Sequence, residues 1–555
     1  MVRLFGNIKE AKTTWGTSNE NGVGKFNDIS EKALREIKAM GISHVWYTGI
    51  ISHSTWTKYE QFGIPSDHPR LVKGKAGSPY AIKDYFDVDP DLAVSVNNRM
   101  DEFQSLVNRS HKCQLGVIID FVPNHVARQY KSLNKPDAVT DLGNDDTSKA
   151  FDPQNNFYYI PDHPFNIPAE YQPPISQKAE DYVEMPAKAS GNDVFSPSPS
   201  KDDWFETIKL NYGIDFRDHS FHFEPIPDTW YKMKEILLFW ASKGIDGFRC
   251  DMAEMVPTAF WEWVIPEIKQ KYQKVLFIAE VYDPTKYHSY LSSGFDFLYD
   301  KVQLYDTLKK IIQGHSSADE LTQVWQQQEG ITNQMLRFLE NHDEQRIASP
   351  YFAGDMRKGI PMMAAAAFMH KGPLMIYFGQ EVGEPAEGVS GFSGEDGRTT
   401  IFDYWSVPQH QKWMNNGLFD GGKLSKEQIY VRNEYINILT SCNQIKALRS
   451  GDFFDLQYFN RNDQFCGYSD KVYAFIRHFS THGILVLINF NSEIEKTALK
   501  IPLEALQRIG SDMNKVLSIN NEAINTIDLV DYSVPSALSH DIPPLSYLLF
   551  KLENK

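Results

Sequence analysis

Basic residues are in deficit in this chain: 56 Lys and Arg stand against 72 Asp and Glu, a formal charge of −16. Such a surface repels a phosphate backbone and argues against nucleic acid as a partner. Cysteine is also sparse. Cys113, Cys250, Cys442 and Cys466 have neither metal-ligand spacing nor the density of a disulfide scaffold. No apolar run approaches the roughly 18 residues that span a bilayer, so no membrane partner is expected. The N-terminal residues show no charged-then-apolar leader, which makes cytoplasmic residence the default expectation and leaves a trimmed secreted form open. The glycine-rich phosphate cradle of doubly wound sheets is missing, as are internal repeats and low-complexity tracts. What remains is a 555-residue chain with room for two or three domains and a large core. Its aromatic fraction of 13% suits sugar faces as well as cores.

The order of elements is more specific. Arg3 to Ile8 reads as a short strand, and Ser30 to Met40 as a helix with Ser30 as N-cap and Gly41 closing it. Ser43 to Ile50 follows as a strand, completing a βαβ signature. Asp91 to His111 predicts a second helix, and Leu115 to Val122 is apolar enough for a strand buried on both faces. From His125 to Leu210 periodicity lapses into Pro, Asn, Asp and Tyr. A loop of that length inside one domain is improbable, so an inserted subdomain is expected. Alternation resumes with helices at Thr229 to Ser242 and Thr258 to Tyr272, a strand at Gly247 to Asp251 and another at Val275 to Val281. Phe295 to Tyr299, Met335 to Glu340 and Pro373 to Phe378 bring the strands to eight, with a helix at Asp355 to His370.

Eight βα units predict an α/β fold, a (β/α)₈ TIM barrel with an inserted B domain after the third strand. An open doubly wound sheet is the structural alternative. Beyond Gly451, short alternating segments (Phe465 to Ser469, Val472 to His478, Ile484 to Asn489, Ala498 to Ile501, Leu545 to Lys551) predict an antiparallel β domain. The expected division is barrel over 1–124 and 212–450, inserted domain over 125–211, and C-terminal β-sandwich over 451–555.

Four strand ends carry polar side chains that a buried strand otherwise avoids: Asp120 with Asn124 and His125, Arg249 with Asp251, Glu280, and Asn341-His342-Asp343. Arg249 and Asp251, two residues apart on a strand, face the same side. Alone, that pair reads as a structural ion pair. Gathered with the others where the βα loops of a barrel meet, it reads as part of a site.

These stretches, DFVPNH (Asp120 to His125), GFRCDMA (Gly247 to Ala253), IAEV (Ile278 to Val281) and ENHD (Glu340 to Asp343), resemble in kind and order the motifs of the α-amylase family, glycoside hydrolase family 13. A weaker fifth motif resembles Ile208-Lys209-Leu210-Asn211. The resemblance implies a retaining α-glucoside hydrolase acting on α-1,4-linked glucans or maltooligosaccharides through a covalent glycosyl-enzyme intermediate. Asp251 would be the nucleophile, Glu280 the general acid/base and Asp343 a third carboxylate gripping sugar hydroxyls. Tyr80, His125 and His342 would contact substrate, and Asp120 would orient Arg249. The expected partner is an oligo- or polysaccharide substrate, and no organic cofactor is implied. Arg249 is expected to keep Asp251 ionised, while the apolar run before Glu280 raises its pKa.

The sequence departs from the family in three places. Glu254 and Met255 occupy positions where endo-acting relatives carry a Lys-His pair, which keeps open a 4-α-glucanotransferase or maltosyltransferase. A catalytically inactive carbohydrate-binding relative is a further alternative, opposed by intact Asp251, Glu280 and Asp343. Asn124 matches a position that often ligates a structural calcium, with Asp145, Asp146 or Asp152 as candidate co-ligands. The loop Thr17 to Lys25, whose counterpart binds a second calcium, has lost its carboxylates, and Lys25 is expected to take the cation position there.

Overall fold

The computed structural model describes residues 16–171, 181–388, 394–461, 468–509, 517–521, 524–529 and 537–554. It divides into two compact units, residues 1–298 with 387–423, and residues 299–386 with 424–555. The expected first strand, Arg3 to Ile8, lies outside the described residues.

The first unit begins its regular structure with α1 (Glu31–Ala39), where the Ser30 hydroxyl accepts from the Ala33 N–H at 3.3 Å and Gly41 leaves the helix with φ of 99°. That is the N-cap and glycine stop the sequence spelled out. The strands β1 (His44–Tyr47), β2 (Gly116–Phe121), β5 (Gly247–Cys250), β6 (Leu276–Ala279) and β7 (Phe297–Tyr299) then form a parallel sheet in that order. Between them run α2 (Arg99–Lys112), α3 (Asp228–Ser242) and α4 (Thr258–Lys271). Register is what builds the site: Asp120 on β2 pairs directly with Arg249 on β5, and Arg249 with Ile278 on β6. Parallel strands in register place Asp120 and Arg249 side by side on one face.

The helix expected over Asp91 to His111 starts only at Arg99. Ahead of it the Asp89 carboxylate caps a short turn at Pro90–Leu92, and the Glu102 carboxylate accepts the N–H groups of Val94 and Ser95. Side-chain acceptors satisfied those amides locally, so the helix did not need to extend. Among the described residues of 125–211, regular structure is confined to short strand pairs. One joins β3 (His125–Ala127) to β4 (Thr207–Lys209).

In the second unit β8 (Met335–Phe338) pairs in parallel with β9 (Leu374–Met375), shorter than the Pro373 to Phe378 expected, and α5 (Gly359–Phe368) lies between them. After α6 (Lys426–Gln444) an antiparallel sheet takes the order β10 (Asp452–Asp455), β11 (Val472–Phe479), β12 (His482–Asn489), β17 (Ser546–Asn554), β14 (Leu517–Asn521), β15 (Ile524–Leu529). β13 (Glu495–Lys500) pairs with β16 (Ala537–Ile542). Alternate residues Val472, Ala474 and Ile476 of β11 and Leu485 and Leu487 of β12 bury into one apolar cluster, the period-2 pattern the sequence showed. The expected strand Phe465 to Ser469 falls mostly outside the described residues. Among the described residues, no helix is long and apolar enough to cross a membrane.

Candidate active site

Arg249 organises the carboxylates of the first unit. Its side chain is completely buried, and Nη1 donates to Asp251 Oδ1 at 2.6 Å while Nη2 lies 2.6 Å from Glu280 Oε1. Asp120 Oδ1 stands 3.5 Å from Nη1 and also accepts from the Tyr80 hydroxyl at 3.5 Å; Asp120 Oδ2 accepts from the Trp46 indole at 3.2 Å. The guanidinium carbon sits 5.4 Å from the Trp46 ring and 5.5 Å from the Tyr80 ring, a cation enclosed by two aromatic faces. Charge, ring and register thus agree on one orientation for the fork.

Glu280 is held at both oxygens. The Tyr282 hydroxyl donates to Oε1 at 2.6 Å and the Met252 N–H to Oε2 at 2.7 Å. Met252 adopts φ 44°, ψ 41°, a left-handed conformation that a long side chain rarely takes and that strains the backbone. The turn carries the chain off β5 directly after Asp251 and aims the Met252 amide at Glu280.

The electrostatics differ from the expectation that Arg249 simply keeps Asp251 ionised. Burial pushes the Asp251 carboxyl up to about 8; Arg249 opposes this, while the Glu280 and Asp120 charges reinforce it. Three carboxylates share one guanidinium in a desolvated pocket, so Arg249 only partly offsets the burial of Asp251.

His125 is buried, its ring 5.3 Å from Trp204, and burial with the Lys209 and Lys73 ammonium groups pushes its pKa down to about 3. It is therefore a neutral hydrogen-bonding group. In the second unit, Asn341 Oδ1 accepts the N–H groups of Asp343 at 2.8 Å and Glu344 at 2.9 Å, and His342 Nε2 lies 2.9 Å from Asp343 Oδ2. His342 is buried whereas the Asp343 side chain is 45% exposed. Glu340, at the end of β8, binds the Ile347 N–H at 2.6 Å and Arg346 Nη1 at 2.8 Å.

The donor set does not fit a calcium at Asn124. Its Oδ1 accepts from Lys209 Nζ, and that fully buried ammonium also lies 2.7 Å from Asp193 and 3.3 Å from the Met255 carbonyl. The proposed co-ligands are engaged elsewhere: Asp145 by the Asn156 and Phe157 amides and Tyr159, Asp146 by Ser148, Asp152 by Lys149. A cation is present at Asn124, and it is covalently part of the chain. In the other loop, Lys25 Nζ donates to the Asp91 main-chain oxygen at 2.5 Å, and Asn21 Nδ2 to that of Tyr404 at 2.6 Å.

Sequence reasoning named Asp120, Arg249, Asp251, Glu280 and Tyr80, which the fold brings together. It passed over Trp46, Tyr282 and Arg346. Tyr282 had a signal, since two residues beyond Glu280 in an extended segment is the same face.

A family model for the α-amylase catalytic domain matches residues 13–400. "Alpha-amylase 3" of Dictyoglomus thermophilum is 23% identical over 459 residues, 79% of this chain and 77% of that one. An α-1,4-glucan:maltose-1-phosphate maltosyltransferase of Cereibacter sphaeroides is 38% identical over 61 residues, 11% of this chain and 10% of that one. Among solved structures, an α-amylase from Geobacillus thermoleovorans complexed with acarbose aligns with a TM-score of 0.62 at 20% identity, covering 100% of this chain and 97% of that one. The likeness bears out the expected fold, a (β/α)₈ barrel with an insertion after its third strand and a C-terminal antiparallel β domain.

Proposed function

Because the chain belongs to the α-amylase family, we propose that it cleaves α-1,4 bonds of glucans or maltooligosaccharides with retention, through a covalent glycosyl-enzyme. The observation that supports this most is the Arg249 fork set between Asp251 at 2.6 Å and Glu280 at 2.6 Å. In the first step Asp251 attacks the anomeric carbon as Glu280 gives its proton to the departing glycosidic oxygen; in the second, Glu280 takes a proton from water and the ester to Asp251 breaks. Arg249 stabilises the carboxylate that leaves the ester, and Asp120 holds Arg249 in line. Asp343 and His342 take substrate hydroxyls, as do Tyr80 and His125.

A second reading, transfer to a sugar acceptor, has support in the maltosyltransferase match and in Glu254 and Met255 replacing a Lys-His pair. Water and a sugar hydroxyl intercept the same intermediate. Digestion of maltoheptaose followed by proton NMR of the first product tests both. The α-anomer is expected, and an initial β-anomer overturns retention. Products longer than the donor favour transfer.

A further inference from the structure

We propose that Glu254 is a positioning residue for the Glu280 carboxyl and acts through Tyr282, an inference that rests on the reading of Glu280 as acid/base. Glu254 lies in the short turn Ala253–Met255 that follows the strained Met252. Its Oε2 accepts two consecutive main-chain N–H groups, of Tyr282 at 3.3 Å and Asp283 at 3.2 Å, and its side chain is only 15% exposed. Lys286 Nζ lies 3.9 Å away.

The turn after the nucleophile therefore grips the segment after the acid/base at both ends. Met252 N–H holds Glu280 itself, and the Glu254 carboxylate holds the backbone two and three residues on. Tyr282 closes the circuit, because fixing its amide fixes the direction from which its hydroxyl reaches Glu280 Oε1 at 2.6 Å. A phenol donating to that oxygen fixes the orientation of the carboxyl group. Charge-assisted bonds to two backbone amides are strong enough to hold the loop. The same bonds turn Glu254 toward the backbone of the segment that follows β6, a different task from contacting an acceptor sugar.

Proton donation matters most when the leaving group is poor, so the test compares two substrates. Glu254→Leu is expected to lose about 10-fold or more in kcat/KM on maltotriose, within the range carried by acid catalysis, and less than about 3-fold on α-maltosyl fluoride, whose fluoride departs without a proton. Glu254→Gln, whose amide oxygen still accepts both N–H groups, recovers most of the maltotriose rate, and Tyr282→Phe repeats the substrate split. Equal losses on both substrates overturn the proposal. Hydrogen exchange read by mass spectrometry supplies a measure independent of activity: the peptide holding the Tyr282 and Asp283 amides exchanges faster in Glu254→Leu, and unchanged exchange overturns the positioning role alone. Wild-type protein inactive on both substrates overturns the proposed function and the positioning role with it.

Discussion

Lys209 Nζ donates to Asn124 Oδ1 within the first unit, and the same ammonium lies 2.7 Å from Asp193. A monovalent charge on a tether does there what a metal ion would do by mass action, so its occupancy cannot be titrated away. Chelation with EDTA is therefore expected to leave the midpoint of thermal unfolding unchanged. Lys209→Met, which keeps the volume and strands Asn124 and Asp193, is expected to cost about 3 kcal/mol in urea unfolding, the low end for breaking a buried pair because Asp193 is one-third exposed. A fall of several degrees with EDTA speaks for a metal instead.

Asp251 predicts a pH dependence of stability. Its ordinary value is 3.8 and its folded value about 8, so between these limits the folded state binds a proton that the unfolded state has released. The stabilisation this gives is full below pH 4 and is lost as pH rises toward 8, with a slope on the order of 1 kcal/mol per pH unit. Asp251→Asn removes the titration. The variant is expected to be more stable than wild type at pH 8, by a margin that shrinks toward pH 4, measured by urea unfolding across that range. A constant margin excludes Asp251 as the titrating group.

How much of this was legible in the sequence varies by element. Ser30 and Gly41 bounded α1 because cap and stop are local interactions, and the apolar run Leu115 to Val122 marked β2 because both its faces are covered. The start of α2 was misread because Asp89 and Glu102 satisfy amides across a turn, which hydrophobic period does not register. In the site, Arg249 and Asp251 are neighbours in sequence and their pairing could be read. Sharing of Arg249 with Glu280 depends on the register of β5 against β6, and Lys209 meets Asn124 only because β3 pairs with β4. Both of those alter the chemistry, and neither leaves a trace in spacing.

His125 is expected to remain neutral in the folded protein throughout the working pH range. Burial first, then the Lys209 and Lys73 charges, bring it to about 3 from an ordinary 6.5. Folded protein therefore refuses a proton that the unfolded chain accepts, and this group's contribution to stability falls as pH drops from 6.5 toward 3. Its imidazole ¹⁵N shifts are expected to stay constant from pH 8 to pH 4.5. A midpoint near 6 shows instead a solvated ring.

Arg346 governs the segment that carries Asp343. It is completely buried, binds Glu340 and the Phe378 carbonyl, each at 2.8 Å, and lies over the Tyr377 ring. Burial raises the Glu340 carboxyl, with the nearby Glu381 charge adding to the effect, and Arg346 is the main opposing charge. Arg346→Met strands that carboxylate and is expected to cost about 3–5 kcal/mol at neutral pH. The loss should be smaller at pH 5 than at pH 8, because Glu340 then meets burial as a neutral acid. Adding Glu340→Gln to Arg346→Met should recover part of the stability, since no charge is left behind. Asn341→Ala makes the contrast: it removes the oxygen that accepts from Asp343 and Glu344, at a cost of only about 1–2 kcal/mol. Freed, the Asp343 carboxylate loses its aim, and kcat is expected to fall by about 100-fold, the scale of a 1 Å misplacement. Equal stability losses in Arg346→Met with and without Glu340→Gln would mean that packing against Tyr377, rather than the charge, holds the segment.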